Sequence, residues 1–486
     1  MRDLLHYGRH ATPESVALID ADTDERWTYA ELDEAVERTG GRLRSLGLEA
    51  GDQLGVHLGG SPAFVRLLHA AWRIGAILVP LNTRLSRPEL RTQIDQVDLD
   101  AFVGRDESPK TGLEDVPVRF VEGSGSLTNE SVTGGTPADR PLDGPRAMLF
   151  TSGTTGEPKV VVLSARNLLA SAVASAFRLG VLPDDRWYDP LPPYHMGGLA
   201  PVVRSALYGT SVVVGGEFDA ARALVDLDRY DPTGVSLVPT MLDRLLDAGE
   251  LPDSLRFVLT GGAPTPPELI ERCERRGVPI HPTYGMTETA SQVATARPEE
   301  AFSNPERVGR PLAFTRVQVI ADGEPLPPGE PGELVVRGPT VSPGYYDDAE
   351  ATRAAFGSYG YRTGDVGVIE SDGSLRVIGR VDDAVITGGE NVHPAEIASV
   401  LRSHPAVDEA AVVGLPDPEW GERVCALVVG NEVTAEELRA FCEGRLADYK
   451  RPKTIAFADA LPRTASGTVD REAARERVRS RSERLE

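Results

Sequence analysis

Cysteine is scarce. Cys273, Cys425 and Cys442 are the only three in 486 residues, scattered and odd in number, which argues against a disulfide framework or a thiolate zinc site. Lysine is scarcer relative to need: of 51 basic residues only Lys110, Lys159, Lys450 and Lys453 are lysine, the rest arginine. No run approaches the ~18 consecutive apolar residues of a spanning helix. Met1-Arg2-Asp3-Leu4-Leu5-His6 has no signal-peptide core. The sequence therefore predicts a soluble, cytoplasmic protein with no integral membrane association. A basic stripe is also missing: 74 acidic residues against 51 basic ones give −23, which argues against nucleic acid as a partner. An acidic, lysine-poor surface suits concentrated salt, where self-repulsion is screened over a few ångströms, and predicts a halophilic source. A coding bias toward arginine also explains the scarce lysine, but not the acid excess.

What is present is enough for a large core: 41% hydrophobic and 26% charged residues exclude long disorder and fibrous classes. Helical patterns alternate with short apolar runs through the first hundred residues, the mark of α/β architecture. Thr28 and Glu31 form a capping-box pattern that starts a helix. Gln53–Leu58, Ala76–Leu81, Ala147–Phe150, Ser211–Val214, Gly234–Val238 and Leu255–Leu259 read as strands. Residues 105–145 read as loop and edge. Between 305 and 380, short β-rich runs such as Gly332–Arg337 and Leu375–Ile378 sit among Gly/Pro turns and suggest a β-barrel-like region. After Arg380 a small α+β unit follows, with helices over Ala395–Ser403 and Ala435–Leu446 and strands over Glu409–Val413 and Cys425–Val429. The Arg/Glu-rich tail after 470 reads as a solvated helix.

One loop carries chemistry. Thr151-Ser152-Gly153-Thr154-Thr155-Gly156-Glu157-Pro158-Lys159 follows a strand candidate and offers backbone N–H groups, hydroxyls and one point charge to phosphate oxygens. It lacks the spacing of a G-x-x-x-x-G-K-[ST] loop. The string resembles the phosphate loop of the adenylate-forming superfamily, which holds acyl-CoA synthetases, luciferases and peptide-synthetase adenylation domains. It departs at Val160, where that family usually has Gly.

Further segments resemble the family in order. Tyr284-Gly285-Met286-Thr287-Glu288 is similar to its second signature, which implies that Thr287 contacts the α-phosphate and Glu288 helps hold Mg²⁺. Gly261-Gly262-Ala263 looks like the adenine-contacting turn. Tyr361-Arg362-Thr363-Gly364-Asp365 matches the ribose segment, with Asp365 as acceptor for the ribose hydroxyls. Gly379-Arg380-Val381-Asp382-Asp383 matches the hinge segment, where Arg380 reaches the nucleotide and Asp382 is the pivot. The resemblance implies a large domain over 1–380 with two mixed α/β sheet layers and the barrel-like part, then a small mobile α+β domain over 381–486. It also implies two half-reactions: a carboxylate attacks ATP to give an acyl-adenylate, then a thiol, usually that of CoA, attacks the adenylate. On the CoA side, Gly388-Gly389 resembles a pantetheine tunnel wall. Trp420 is placed like an adenine-stacking residue, and Tyr449-Lys450-Arg451-Pro452-Lys453 resembles a segment near the CoA phosphates. ATP, Mg²⁺ and CoA are thus the implied cofactors and co-substrates.

The family's C-terminal Lys is missing: Thr468 stands there, in Ser466-Gly467-Thr468-Val469-Asp470-Arg471. Slow adenylation, substitution by Arg463, Arg471 or K⁺, and a nucleotide-binding relative that no longer adenylates all remain open. His195, in Leu191-Pro192-Pro193-Tyr194-His195-Met196, matches the family's His segment between acyl and nucleotide pockets. Arg204, nine residues later, resembles the basic residue of o-succinylbenzoate–CoA ligases of menaquinone biosynthesis. A dicarboxylate such as o-succinylbenzoate needs a cation for the carboxylate that is not activated, and an arginine offers a bidentate one. An aryl or medium-chain acid is the alternative substrate, and an exposed place on the helix the alternative role for Arg204. Whether the chain forms a homo-oligomer is left open.

Overall fold

The computed structural model describes residues 4–105, 117–120, 141–151, 158–387, 390–418, 420–463 and 469–482. The chain divides into two compact units, residues 1–317 with 336–361, and residues 318–335 with 362–486.

The first unit is built on two large sheets. One has nine strands in the order Arg310–Pro311, Ser291–Thr295, Ile280–Met286, Phe257–Thr260, Gly234–Leu237, Arg186–Asp189, Ser211–Val214, Val16–Asp20 and Arg26–Thr28. Its six central strands run parallel. Their apolar runs are buried on both faces, as a parallel sheet covered by helices requires. The other sheet has seven strands and includes Gln53–His57, Ile77–Pro80 and the antiparallel pair Pro145–Thr151 and Lys159–Ser164. One core joins the two sheets: Leu18, Val212 and Val214 of the first and Leu54, Leu78, Leu149 and Val161 of the second pack around Phe64, Leu68 and Leu199 of intervening helices. Thr28 caps the helix Tyr29–Ser45 with its full capping box to Glu31.

In the second unit a long hairpin, Val407–Asp417 with Gly421–Gly430, is covered on both faces. Ala410, Val412, Val424, Ala426 and Val428 face the helices Pro394–Arg402 and Ala435–Cys442. Ala411, Val413, Cys425 and Leu427 face Ala474 and Val478 of the helix Arg471–Ser482. The tail helix is therefore solvated on one side only. The helix opened by Ala435 stops at Cys442, short of Leu446, because Gly444 turns left-handed at φ +77. The β-rich stretch before it forms a sheet containing Arg316–Ala321, Gly332–Arg337, Gly360–Ile369 and Leu375–Arg380. The architecture is mixed α/β throughout. All three cysteines are free and buried. No described helix is long and apolar enough to cross a membrane.

Candidate active site

Ligands of open α/β sheets bind beyond the carboxyl ends of parallel strands. Three of the sequence-predicted segments follow such strands in the first unit. Gly261-Gly262-Ala263 follows Phe257–Thr260, and its turn is braced by Thr260 and Thr265 hydroxyls 3.2 Å apart. Thr287 and Glu288 follow Ile280–Met286 in a single 3₁₀ turn. His195 and Arg204 follow Arg186–Asp189 on the next element, the helix Met196–Tyr208, which His195 caps.

The Thr287–Glu288 turn is held hard. Gly285 lies so close to the returning strand that a Cβ would stand 1.8 Å from the Ser291 carbonyl oxygen. Thr289 is fully buried, and its hydroxyl donates to the carbonyls of Met286 and Ser291 at 3.1 and 3.2 Å. Ala290 and Ser291 take φ values of 52° and 106°, a region that side-chain-bearing residues avoid.

Thr151 and Lys159 sit opposite one another in the antiparallel pair, so they mark the two ends of the phosphate-loop candidate. Ser152, Gly153, Thr154, Thr155 and Gly156 lie outside the described residues. Lys159 extends its ammonium over the ring of Tyr345, 5.1 Å from the centroid. The Tyr345 hydroxyl donates to Glu288 Oε1 at 3.0 Å and stands 3.4 Å from the Tyr361 hydroxyl. Two motifs more than a hundred residues apart, at Lys159 and Glu288, thus meet through one tyrosine. Burial first, then the Glu288 charge, raise the pKa of both tyrosines, so both remain donors. Tyr345 was not foreseen: its strand, Gly344–Tyr345, is two residues long and leaves no pattern in the sequence.

His195 opens to solvent on one side yet stands in a crowded wall, with the Tyr194 ring 4.8 Å away. Burial, then the Arg84 charge, lower its pKa, so the imidazole is neutral near pH 7. Arg204 is not on an exposed helix face: it is 6% exposed. Its Nε and Nη2 have no hydrogen-bond partner. Those two nitrogens form one edge of the guanidinium, the edge that takes a carboxylate bidentately. A buried, open fork of this kind is costly unless something fills it. Asp189, 3% exposed, lies within electrostatic range of it but forms no ion pair with it.

The second unit carries the remaining candidates. Asp365 and Arg380 face each other across paired strands, with Arg380 Nη1 donating to Asp365 Oδ1 at 3.1 Å. Asp382 is exposed in the turn that follows, and its neighbour Asp383 pairs with Arg471. Arg463, the other cation weighed against the missing lysine, pairs with Glu409 at 2.5 Å. Trp420 is exposed, and Lys453 places its ammonium 5.5 Å from the indole. Lys450 is held by both Glu396 carboxylate oxygens at 2.7 and 2.8 Å, and Arg451 pairs with Asp448 at 3.2 Å. Of that basic segment, Lys453 is the cation set beside the indole. Gly388, Gly389 and Thr468 lie outside the described residues. Among the described residues no cluster of three or more His, Cys, Asp or Glu suits a metal cage.

A family model for AMP-binding enzymes matches residues 7–346, and one for the AMP-binding enzyme C-terminal domain matches residues 396–468. A 2-succinylbenzoate–CoA ligase of a Geobacillus species is 39% identical over 461 residues, covering 94% of this chain and 93% of that one. The o-succinylbenzoate CoA synthetase of Bacillus subtilis, solved with its acyl-adenylate intermediate, superposes with a TM-score of 0.91 at 36% identity, covering 98% of each chain. The same Bacillus subtilis enzyme with ATP and a magnesium ion gives 0.90 at 35% identity over 99% of each.

Proposed function

The chain belongs to the AMP-binding enzyme family, and on that premise we propose that it is an AMP-forming acid–CoA ligase that converts o-succinylbenzoate to its CoA thioester in menaquinone biosynthesis. The observation that carries the substrate is the buried Arg204 fork. A fatty-acid tail gains nothing from a buried cation. An acid with a second carboxylate fills both open donors at once.

The roles we propose are those the family resemblance implies. Lys159 and the hydroxyls and backbone of the loop from Thr151 to Gly156 hold the ATP phosphates. Thr287 donates to the α-phosphate. Glu288 suits magnesium that arrives with ATP: Mg²⁺ is commonly held by one or two carboxylates plus substrate phosphates rather than by a protein cage, and Glu288 is a single carboxylate oriented by Tyr345. When bound, the ion neutralises phosphate charge. Tyr284, Gly285 and the Gly261–Ala263 turn border the nucleotide, and Asp365 and Arg380 its ribose side. The acid's reacting carboxylate passes the neutral His195 and attacks the α-phosphorus; pyrophosphate leaves. Residues 381–486 then rotate about Asp382, and the CoA thiolate attacks the adenylate carbonyl and expels AMP. Gly388 and Gly389 border the pantetheine arm. Trp420 stacks on the CoA adenine while Lys453 and Arg451 meet its phosphates. Arg471, beside Asp383, is the nearer of the two cations to the hinge segment and the better candidate to offset Thr468. The protein works in the cytoplasm, and its acid excess makes activity rise with KCl.

The test separates the half-reactions. Pyrophosphate is followed with ATP, Mg²⁺ and o-succinylbenzoate in high KCl without CoA, then thioester after CoA is added, for wild type and Thr468→Lys. Wild type is expected to make both products. Thr468→Lys should accelerate the first step by less than the ~10²–10³ that an uncompensated charge is worth. Pyrophosphate from Thr468→Lys alone, or from neither protein, refutes the ligase reading.

A further inference from the structure

Residues 339–346 of the first unit cross between the motifs at Lys159 and Glu288, and Ser342 is the joint. It is 3% exposed. Its N–H donates to the Glu288 main-chain carbonyl at 2.8 Å. Its hydroxyl donates to the Val162 carbonyl at 2.8 Å and accepts from the Gly344 N–H at 3.0 Å. Val162 lies on Lys159–Ser164, the strand that leaves the phosphate-loop candidate. Pro343 biases Ser342 toward the extended backbone that lets it reach both ways. The strand that follows, Gly344–Tyr345, is two residues long, too short to be held by ladder bonds alone. Its neighbours anchor it: Asn167 Nδ2 donates to the Pro339 and Val341 carbonyls at 2.9 and 2.7 Å, and the Tyr346 N–H donates to the Val160 carbonyl at 2.8 Å. Tyr345 is thereby delivered to one place, with Lys159 over its face and Glu288 on its hydroxyl. Opposite charges converging on one ring attract each other, yet among the described residues Lys159 and Glu288 form no ion pair with each other.

We propose that Ser342 is a positioning residue for nucleotide activation: it locks the Lys159 strand to the Glu288 turn, so that Tyr345 engages each charge and keeps the two from pairing with each other, leaving both open to ATP and Mg²⁺. The inference rests on the nucleotide roles proposed above, not on the identity of the acid. Without the Ser342 hydroxyl, the Val162 carbonyl and the Gly344 N–H lose a buried partner, and the short strand is free to slide. Lys159 then swings off the ring toward Glu288. Each incoming nucleotide must break that pair before its phosphates and its metal ion can use either group.

The first test uses the full chain without any ligand. Reductive ¹³C-methylation labels amines and keeps their charge, and Lys110, Lys159, Lys450 and Lys453 are the only lysines. The Lys159 methyl signal, assigned by its loss in Lys159→Arg, is expected upfield of its position in Tyr345→Leu, because an aromatic ring current shields a group over its face. Ser342→Ala should move that signal to the position seen in Tyr345→Leu. A signal that does not move overturns the proposal. The second test is a calorimetric titration of ATP with Mg²⁺, without acid: affinity should fall about three- to tenfold in Ser342→Ala. Thioester formation from preformed o-succinylbenzoyl-AMP and CoA should keep its wild-type rate, since that step involves no β- or γ-phosphate. Equal losses in ATP affinity and in thioester rate mark a general fold defect and overturn the proposal too. Ser342→Cys, of similar size and weaker in hydrogen bonding, serves if the alanine variant does not fold, and should show the same changes in smaller measure. If wild type itself binds no ATP, the ligase reading fails, while the methyl signal still decides whether Ser342 keeps the two charges apart.

Discussion

Replacing Arg204 with methionine isolates the fork from the fold. The stem is kept in length and the guanidinium removed. On the proposed reading, the acid's second carboxylate gains two charge-assisted hydrogen bonds from the buried, unpartnered Nε and Nη2 of Arg204. In Arg204→Met the same carboxylate is buried with no partner. Truncating one member of a buried, hydrogen-bonded charge pair costs about 3–5 kcal/mol, so kcat/KM for o-succinylbenzoate should fall by roughly 10²–10⁴. For 4-oxo-4-phenylbutanoate the sign reverses or vanishes, because wild type buries an unmatched cation beneath a neutral ring. The fold should not suffer: exchanging a buried ion for a volume-matched apolar side chain is often neutral or stabilising, and Asp189 can protonate once Arg204 is gone. The assay is steady-state AMP release with the two acids in parallel, with thermal midpoints as control. Equal losses for both acids, at unchanged thermal midpoint, refute the assignment of Arg204 to the second carboxylate.

Tyr345→Phe keeps the ring under Lys159 but removes the bond to Glu288. Loss of a hydrogen bond to a charged group is worth ~1.5–3 kcal/mol, so kcat/KM for ATP should fall about tenfold or more and the Mg²⁺ requirement rise; an unchanged magnesium titration counts against Glu288. Trp420→Ala should raise KM for CoA about tenfold by the loss of one stacking face and leave pyrophosphate formation without CoA unmoved, which initial rates of the two half-reactions will show. His281 is buried with Nδ1 against the Pro279 carbonyl, and burial lowers its pKa to about 4. Its folded pKa lies below the unfolded value near 6.5, so the stability it permits is present above that pH and lost as pH falls toward 4. Denaturant titrations should show about 2 kcal/mol lost between pH 6.5 and 5 through this residue, and a smaller loss in His281→Leu.

Local chemistry was readable where it is local. The capping box at Thr28 and Glu31, the parallel strand Ser211–Val214 and the tail helix follow from patterns within one or two turns of chain. The strand expected from Leu255 begins at Phe257, because the Leu255 N–H is used in a turn to the Pro252 carbonyl. Long-range pairings were not readable. Nothing near residue 345 announces a tyrosine that joins Lys159 to Glu288, and nothing near 453 announces an ammonium over Trp420. Arg204 lay between these cases: its spacing from His195 suggested a pocket, but helical position alone fits an exposed face equally well. Burial excludes the exposed face, and its two open nitrogens are what the substrate proposal builds on.

The Ala290–Ser291 turn has a bearing on the timing of catalysis. Backbone forced into left-handed angles is work done once, when the chain folds, and stored for the life of the molecule. In the roles proposed above, Thr287 and Glu288 would then meet each incoming nucleotide without first having to be gathered. A glycine at 291 would relax that turn. The protein carrying it should be harder to unfold and slower in turnover, because the ordering now completed at folding would recur in every catalytic cycle.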